Sequence, residues 1–430
     1  MAERDGWIRL HPLSPVLSAG QYVVAALAIM LQAAQDQVLG NAPGAGRVIR
    51  LSLVLLVVAL GALAYTALAW RVRAYRVTDE LVELKTGLVF RFHRHVPFDR
   101  IESVDTTQPL VPRLLNLAEV RIEAVSQKGS ELRLRYLSVA EAERLRFELS
   151  ARRRRSADST DVALPPPDSP LLRIPLRELV LGYLVIPLVF IVPAAIIGSA
   201  IGVIASGSWL ALILVLIFVG TAVVPPLLVR VERIWDFRLD DAHDALVINR
   251  GLLNLQTQRI VTGRIQAVRV EQPPLWRAFR RFRITVDVAG YRGVDGDAAR
   301  AAAILLPIGS EDLVTHLLHR LELNIDLATL EFRRVPTRAR WRSPLRWRSF
   351  QLAWTDTNTV IRSGVLWRRT AFVPYVKIQS ARVTQGPWQR HLRLATVHLD
   401  TAGAQIAAAA AHRDAADAMD IAHQACRRAR

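Results

Sequence analysis

Gly364-Val365-Leu366, Pro374-Tyr375-Val376-Lys377-Ile378-Gln379-Ser380-Ala381 and Gln385-Gly386-Pro387 decide the fold, because the same phrase stands twice earlier in the chain. The first copy reads Gly87-Leu88-Val89, then Pro97-Phe98-Asp99-Arg100-Ile101-Glu102-Ser103-Val104, then Gln108-Pro109. The second reads Gly251-Leu252-Leu253, then Arg264-Ile265-Gln266-Ala267-Val268, then Gln272-Pro273. In every copy the isoleucine lies 14 residues after the glycine and the glutamine 21. A run of alternating character follows each: Glu119-Val120-Arg121-Ile122, Arg283-Ile284-Thr285-Val286 and Thr396-Val397-His398-Leu399. Self-similarity held at a fixed register marks a repeated structural unit.

Each copy reads as strands closed by a helix. Arg76-Val77, Glu83-Leu84 and Leu132-Arg133-Leu134-Arg135-Tyr136 alternate polar and apolar residues, the period of a half-buried strand. The glycine suits a turn of positive φ, and the Gln-Pro suits a strand end, since proline donates no ladder hydrogen bond. Ser138-Val139-Ala140-Glu141 is a capping box that opens a helix continued by Leu145 and Leu149. Ser310-Glu311 opens a second, with Leu313, Leu317 and Leu321 on one face. A third, alanine-rich, runs around Asp414 to Ala425. This is the plan of a small β-barrel or sandwich capped by one C-terminal helix.

Working outward, the apolar residues are concentrated between the copies. The 430 residues are 51% hydrophobic and 22% charged, yet Leu51–Trp70 and Leu179–Val229 contain no charge at all. A span needs roughly 20 apolar residues, so the second stretch has the length to cross, turn at Ser206-Gly207-Ser208 and return. Val16–Ala34, also uncharged, pairs with Leu51–Trp70 across a small-residue connection. The expectation is four transmembrane helices in two hairpins. Arginines flank the outer ends of both (Arg4, Arg9, Arg71, Arg73, Arg76, Arg173, Arg177, Arg230, Arg233), which places both termini and the repeats on the cytosolic side. Arg47 and Arg50, inside the first hairpin, run against that rule. The mixed first 15 residues do not read as a cleavable signal.

The alternation of hydrophobic hairpins with these glycine, Arg/Lys-Ile and Gln-Pro phrases resembles the bacterial pleckstrin-homology-like (PH-like) membrane proteins of the YdbT-like family. Arg9-Leu10-His11-Pro12-Leu13-Ser14 is similar to their lead-in. The resemblance covers nearly the whole chain and implies an α+β multi-domain membrane protein. Three PH-like small β-barrel domains, each capped by a C-terminal helix, would sit at a bacterial inner membrane and could self-associate. The expected order is a tail (1–15), hairpin 1 (16–70), domain 1 (71–150), a basic, proline-bearing linker (151–176), hairpin 2 (177–230), domain 2 (231–325), an Arg/Trp linker (326–348) and domain 3 (349–430). The third copy departs from the pattern, since only that linker precedes it.

The net charge is +18, and the linkers hold two dense arginine runs. Arg152, Arg153, Arg154 and Arg155 are consecutive, and Arg338, Trp341, Arg342, Trp347 and Arg348 lie in a segment without acids. Two readings are open. One is adhesion to anionic headgroups, about 1 kcal/mol per basic residue near the surface. The other is a solvated tether. Nucleic acid is not the expected partner, because basic residues beside apolar spans are ordinary.

Catalytic signatures are missing. The chain has no phosphate-binding glycine loop, no Gly-x-Ser-x-Gly and no His-Glu-x-x-His. His93 with His95, and His316 with His319, are pairs without a third ligand type nearby. Cys426 is the only cysteine. Asp240-Asp241-Ala242-His243-Asp244 reads as a solvated turn. The turns where phosphoinositide-binding relatives of the fold place basic residues read Thr78-Asp79-Glu80, Asp240-Asp241-Ala242 and Asp356-Thr357-Asn358, and their acids would repel phosphate. The expectation is a non-enzymatic scaffold, free of cofactor and metal, that binds protein partners or itself, with basic linkers on anionic lipid. The alternative is an oligomeric transporter or export component built on the hairpins.

Overall fold

The computed structural model describes residues 7–18, 45–88, 91–124, 132–156, 171–180, 182–183, 186–207, 209, 213, 217, 220–221, 224–242, 245–289, 304–323, 325, 330–402 and 406–429. The chain divides into two compact units, one of residues 1–163 with 253–255 and one of 164–252 with 256–430.

The first unit holds one repeat. A lead-in strand β1 (Ile8–Arg9) is followed by helix α1 (Ala45–Val72), then β2 (Ala74–Val77), β3 (Leu81–Thr86) and β4 (Phe92–Pro97). These four strands pair in the order β1-β2-β3-β4, all antiparallel. A second sheet of β5 (Ile101–Gln108), β6 (Leu117–Ala124) and β7 (Leu132–Ser138) follows, with a one-turn helix α2 (Leu110–Leu114) between β5 and β6. Helix α3 (Val139–Ser156) closes the unit. Its capping box forms: Glu141 N–H donates to Ser138 Oγ at 3.2 Å, and Ser138 N–H returns to Glu141 Oε2 at 3.2 Å. Ala142, Leu145 and Leu149 of α3 are buried against Val82, Ile101, Val120, Ile122 and Leu134 of the sheets.

The second unit holds the other two repeats. One comprises β8 (Leu172–Arg173), α4 (Leu176–Val180), α5 (Ile186–Ser206), α6 (Val224–Ile234), β9 (Arg238–Asp241), β10 (Ala245–Arg250), β11 (Leu255–Val261), β12 (Ile265–Gln272), α7 (Pro274–Ala278), β13 (Phe282–Val288), β14 (Ile304–Gly309) and α8 (Glu311–Arg320). The last comprises β15 (Arg333–Arg334), β16 (Gln351–Trp354), β17 (Asn358–Ser363), β18 (Arg368–Pro374), β19 (Ile378–Thr384), α9 (Pro387–His391), β20 (Leu394–Thr401), β21 (Ala408–Asp414) and α10 (Ala415–Arg428).

The repeat is geometric as well as textual. Gly87, Gly251 and Gly364 take φ of 98°, 110° and 94°. At Gly364 an added Cβ would lie 1.8 Å from the Trp367 carbonyl oxygen. Gly364→Ala is therefore expected to lower stability by about 1–3 kcal/mol, the range for a strained backbone site. Chemical denaturation checks this, and an unchanged midpoint would refute it. A short 3₁₀ turn precedes β5, β12 and β19 alike: Phe98–Arg100, Thr262–Arg264 and Tyr375–Lys377. Register shifts fall at Ile101/Ser103, Ile265/Ala267 and Ile378/Ser380. The one-turn helices after Gln-Pro end at left-handed Asn116, Arg280 and Arg393.

The last two repeats are joined by a shared sheet, β14-β13-β12-β18-β17-β16-β15. β12 of one pairs antiparallel with β18 of the other, Val268 opposite Phe372 through Gln272 opposite Arg368. Phe372 belongs to the core that contains Leu246, Val268 and Leu317, so the last repeat lends a side chain to its predecessor. Ala267 makes the reverse loan. Glu271 gathers Arg269, Arg283 and Arg369 at 3.4–3.9 Å, and buried Asp287 accepts from Ile406 N–H at 2.8 Å.

The expectation of four transmembrane helices is corrected. Among the described residues, no helix is long and apolar enough to cross a membrane. Most of the leading candidate span, Val16–Ala34, lies outside the described residues. In the uncharged stretch Leu179–Val229 the longest of the described helices is α5. The rest of the long uncharged stretch is divided. Its start is folded into α4, where Leu179 is buried, and α5 carries Pro193 inside it. The return segment ends in α6 with Arg230, Glu232 and Arg233. The apolar side chains that α1 and α5 do present, such as Leu56, Leu60, Ile197 and Ile201, are exposed.

Candidate membrane-facing surface

Each repeat opens with a two-residue lead-in strand followed by a buried aliphatic residue and a proline. Leu10, Ile174 and Val335 are the aliphatics, all buried, and Pro12, Pro175 and Pro336 follow them. An insert then separates this strand from the next strand of the same sheet. In the first two repeats the described part of the insert is mainly helical and apolar. In the third it is 337–349, the core of the Arg/Trp segment.

That third insert folds as two 3₁₀ turns, Thr337–Trp341 and Trp347–Ser349. Its underside is apolar: Ala339 and Trp347 pack with Val335, Phe350 and Leu394. Arg413, buried in β21, donates to the carbonyls of Arg333 and Arg334 at 3.0 and 3.4 Å and fixes the lead-in strand. Burial lowers the Arg413 pKa to about 10, so it stays charged at neutral pH. Arg338 forms an ion pair with Asp414 and also donates to the Arg393 carbonyl.

His412 holds the insert from beneath. Its Nε2 is 3.2 Å from Ser343 Oγ, its Nδ1 is 3.2 Å from Gln389 Nε2, and its ring stands edge-on to Phe350. An amide nitrogen facing Nδ1 places the ring proton on Nε2. Burial, then the charges of Arg342 and Arg346, hold the His412 pKa below its usual value. The folded state thus favours neutral imidazole. Its stability contribution is complete above the unfolded pKa of about 6.5 and is lost as pH falls through the lower folded value. The melting temperature is expected to drop on acidification from about pH 7.5 to about pH 5.5, and less so in His412→Asn. Asparagine is chosen because residue 412 has φ of 56°. Equal acid sensitivity in both proteins would refute the assignment.

The outer side of the insert is basic and aromatic. Arg340, Arg342, Arg346 and Arg348 are exposed, and among the described residues no carboxylate pairs with them. Arg340 lies over Trp341 at 5.3 Å and Arg348 over Trp347 at 5.2 Å. Trp341 is 66% exposed and Leu345 85%. A cluster of unneutralised guanidinium groups around two exposed apolar side chains combines anion attraction with shallow insertion.

The residues singled out in the sequence are therefore not equivalent. Arg338 is committed to Asp414, and Trp347 is half-buried, while Trp341, Arg342 and Arg348 face outward. Arg152 lies in helix α3 and is engaged on three sides: Thr78 O at 2.7 Å, Asp79 at 3.0 Å and Glu148 at 2.8 Å. Arg153, Arg154 and Arg155 continue that helix, and their side chains lie outside the described residues. Sequence reasoning passed over Arg340 and Arg346, although both stand in the same acid-free run.

Other candidates resolve into local structure. Asp241 binds Arg320 at 2.5 Å, and Asp240 accepts from Asn249 at 2.9 Å. His243 and Asp244 lie outside the described residues. His95 is 3.2 Å from Glu83 across the β3–β4 pair. Among the described residues, no group of three or more potential ligands could hold a metal ion.

Comparison with known proteins supports the repeat. A family model described as the bacterial PH domain matches residues 24–153, 187–322 and 303–429. The UPF0699 transmembrane protein YdbT of Bacillus subtilis (strain 168) is 25% identical over 315 residues, 66% of this chain. The chain spans 63% of that relative's length. No solved structure matches. Three matches that between them take in well over half of the sequence place the chain in the bacterial PH domain family.

Proposed function

We propose that the chain is a non-enzymatic scaffold at a bacterial membrane, presenting its three PH-like domains on the cytosolic side for contact with protein partners or with further copies. One observation carries this reading. Where the first two repeats insert apolar helices, the third inserts a folded knuckle whose outward face carries Trp341, Leu345 and four arginines that no carboxylate pairs with among the described residues. Contact with anionic headgroups falls to Arg340, Trp341, Arg342, Arg346 and Arg348, and Arg338, Trp347 and Arg152 act by positioning. At about 1 kcal/mol per basic residue, four supply about 4 kcal/mol, roughly a thousandfold in partitioning. The acids in the first hairpin turns, Asp79 and Asp356 among them, argue for a lipid surface over a captured inositol phosphate. The relative named as a transmembrane protein supports a membrane setting. The transporter alternative rested on spanning hairpins, and none is present among the described residues.

The test uses Leu345→Cys in a Cys426→Ser background, labelled with a polarity-sensitive fluorophore. The full chain is reconstituted into vesicles with and without anionic lipid. A blue shift confined to anionic vesicles is expected. High salt should reverse it, and replacing Arg340, Arg342, Arg346 and Arg348 by glutamine should abolish it. Identical spectra on neutral and anionic vesicles would overturn the lipid contact.

A further inference from the structure

The β12–β18 junction is a pattern that the chain carries out internally and then leaves unfinished at its ends. Counted from the turn glycines, β19 occupies the place in the last repeat that β12 occupies in the one before, and β4 occupies the place of β18. In its sheet β19 is the outer strand of β19-β20-β21, and β4 is the outer strand of β1-β2-β3-β4. Among the described residues, no strand covers either edge. We infer that β19 of one copy pairs antiparallel with β4 of a second copy, in the register of the internal junction, so that copies join head to tail. The inference rests on the scaffold reading and names one partner for it.

Burial at matched positions supports this. Gln266, Ala267 and Val268 of β12 are buried, while Gln379 and Ser380 of β19 are exposed and Ala381 is partly so. Thr370, Ala371 and Phe372 of β18 are buried, while His93, Arg94 and His95 of β4 are exposed. Phe92, at the start of β4, is 65% exposed. A sheet edge that presents unpaired backbone groups is a template for another strand.

The internal register puts Val268 opposite Phe372, Arg269 opposite Ala371, Val270 opposite Thr370 and Glu271 opposite Arg369. Transferred position by position, it puts Ala381 opposite His95, Arg382 opposite Arg94, Val383 opposite His93 and Thr384 opposite Phe92. A charged residue often blocks an edge, but Arg269 holds the position of Arg382 and β12 pairs regardless. Arg382 is moreover 3.3 Å from Asp400, which offsets its charge beside Arg94.

Two side-chain clasps of the internal junction also have counterparts. Arg277 donates to the Val365 carbonyl at 3.1 Å and Lys377 to the Gly263 carbonyl at 2.6 Å. At the same repeat positions stand Arg390 with Leu88, and Arg100 with Val376. Arg390, Arg100 and Val376 are all exposed; Arg390 donates from Nε to the Gln385 carbonyl at 3.4 Å, which leaves its two terminal nitrogens to reach the Leu88 carbonyl of a second copy. A contact between two different surfaces of the same chain generates a ring or an open row.

The test is made in cells expressing the full chain with Cys426→Ser. His95→Cys is placed on one tagged copy and Ala381→Cys on another. A mild thiol oxidant is expected to give a disulfide-linked dimer carrying both tags. With both cysteines on every chain, a ladder of multiples should form. Phe92→Cys with Thr384→Cys is a second pair in the same register, should the first disturb folding. Dimers from Ala381→Cys alone would mean that β19 meets β19, and would overturn the inference, as would no dimer from either pair. A lysine-reactive crosslinker applied to the same cells separates the two failures. Crosslinks to other proteins without self-crosslinks leave the scaffold reading standing, whereas no protein crosslink of any kind removes both.

Discussion

Phe372→Ala is expected to cost about 3–5 kcal/mol, the usual range for emptying a fully buried aromatic site, and to destabilise two repeats at once. Phe372 is on β18 of the last repeat and has no exposed surface, yet its ring belongs to the core around Leu246, Val268 and Leu317. The backbone beside it pairs with Val268. Removing the ring leaves a cavity on one side of the junction and weakens the β12–β18 ladder on the other. Hydrogen exchange should show amides of β12 and β18 losing protection together. A loss confined to residues 351–430 would show that the two repeats unfold independently, and that the shared core does not couple them.

This coupling was not legible in the sequence, although the repeats were. The glycine, isoleucine and glutamine positions fix each repeat's turn, bulge and strand end. They recur because a positive φ, a buried aliphatic and a terminated ladder are local demands. Which strand of one repeat meets which strand of the next depends on edges, and β12 and β19 carry similar text, Ile-Gln-Ala-Val and Ile-Gln-Ser-Ala. One is mostly buried, while in the other only Ile378 is. The difference lies in what stands beside them.

The lead-in strands were missed for another reason. At two residues each, β1, β8 and β15 are too short for a period to show, and their shared signal is only an arginine, an aliphatic and a nearby proline. Without them, 326–348 reads as a linker. With them, its centre is an insert clasped by Arg413, His412 and Asp414 and turning an arginine face outward. The sequence composition marked this segment as basic and aromatic. It could not say which arginines were taken: Arg338 and Arg348 look alike until Asp414 is placed beside one of them.

The largest effect at the root of an apolar insert is expected from Trp276→Ala, again about 3–5 kcal/mol. Trp276, in α7, is 3% exposed, and its indole N–H donates to the Gly182 carbonyl at 3.2 Å. Tyr183 meets it edge-on at 5.8 Å and donates from its hydroxyl to the Pro307 carbonyl, and the Arg283 guanidinium lies over both rings. Gly182 lets the segment approach closely, since a Cβ there would lie 2.5 Å from the end of the Ile308 side chain and 3.1 Å from the Trp276 ring. The segment that leads into α5 is thus fastened to the domain by one aromatic clamp. In the first repeat, Trp70 at the end of α1 does the same by donating to the Leu10 carbonyl at 2.9 Å. Truncating Trp276 removes the packing, orphans the Gly182 carbonyl and leaves Tyr183 without its ring partner. Limited proteolysis should then cut near 176–185 much faster than in the parent chain, with the melting temperature lowered. Trp276→Phe keeps the ring contact but loses the hydrogen bond, so it should fall between the two. If Trp276→Ala melts lower while cleavage at 176–185 stays unchanged, Trp276 is a core residue only, and the insert is held by something else.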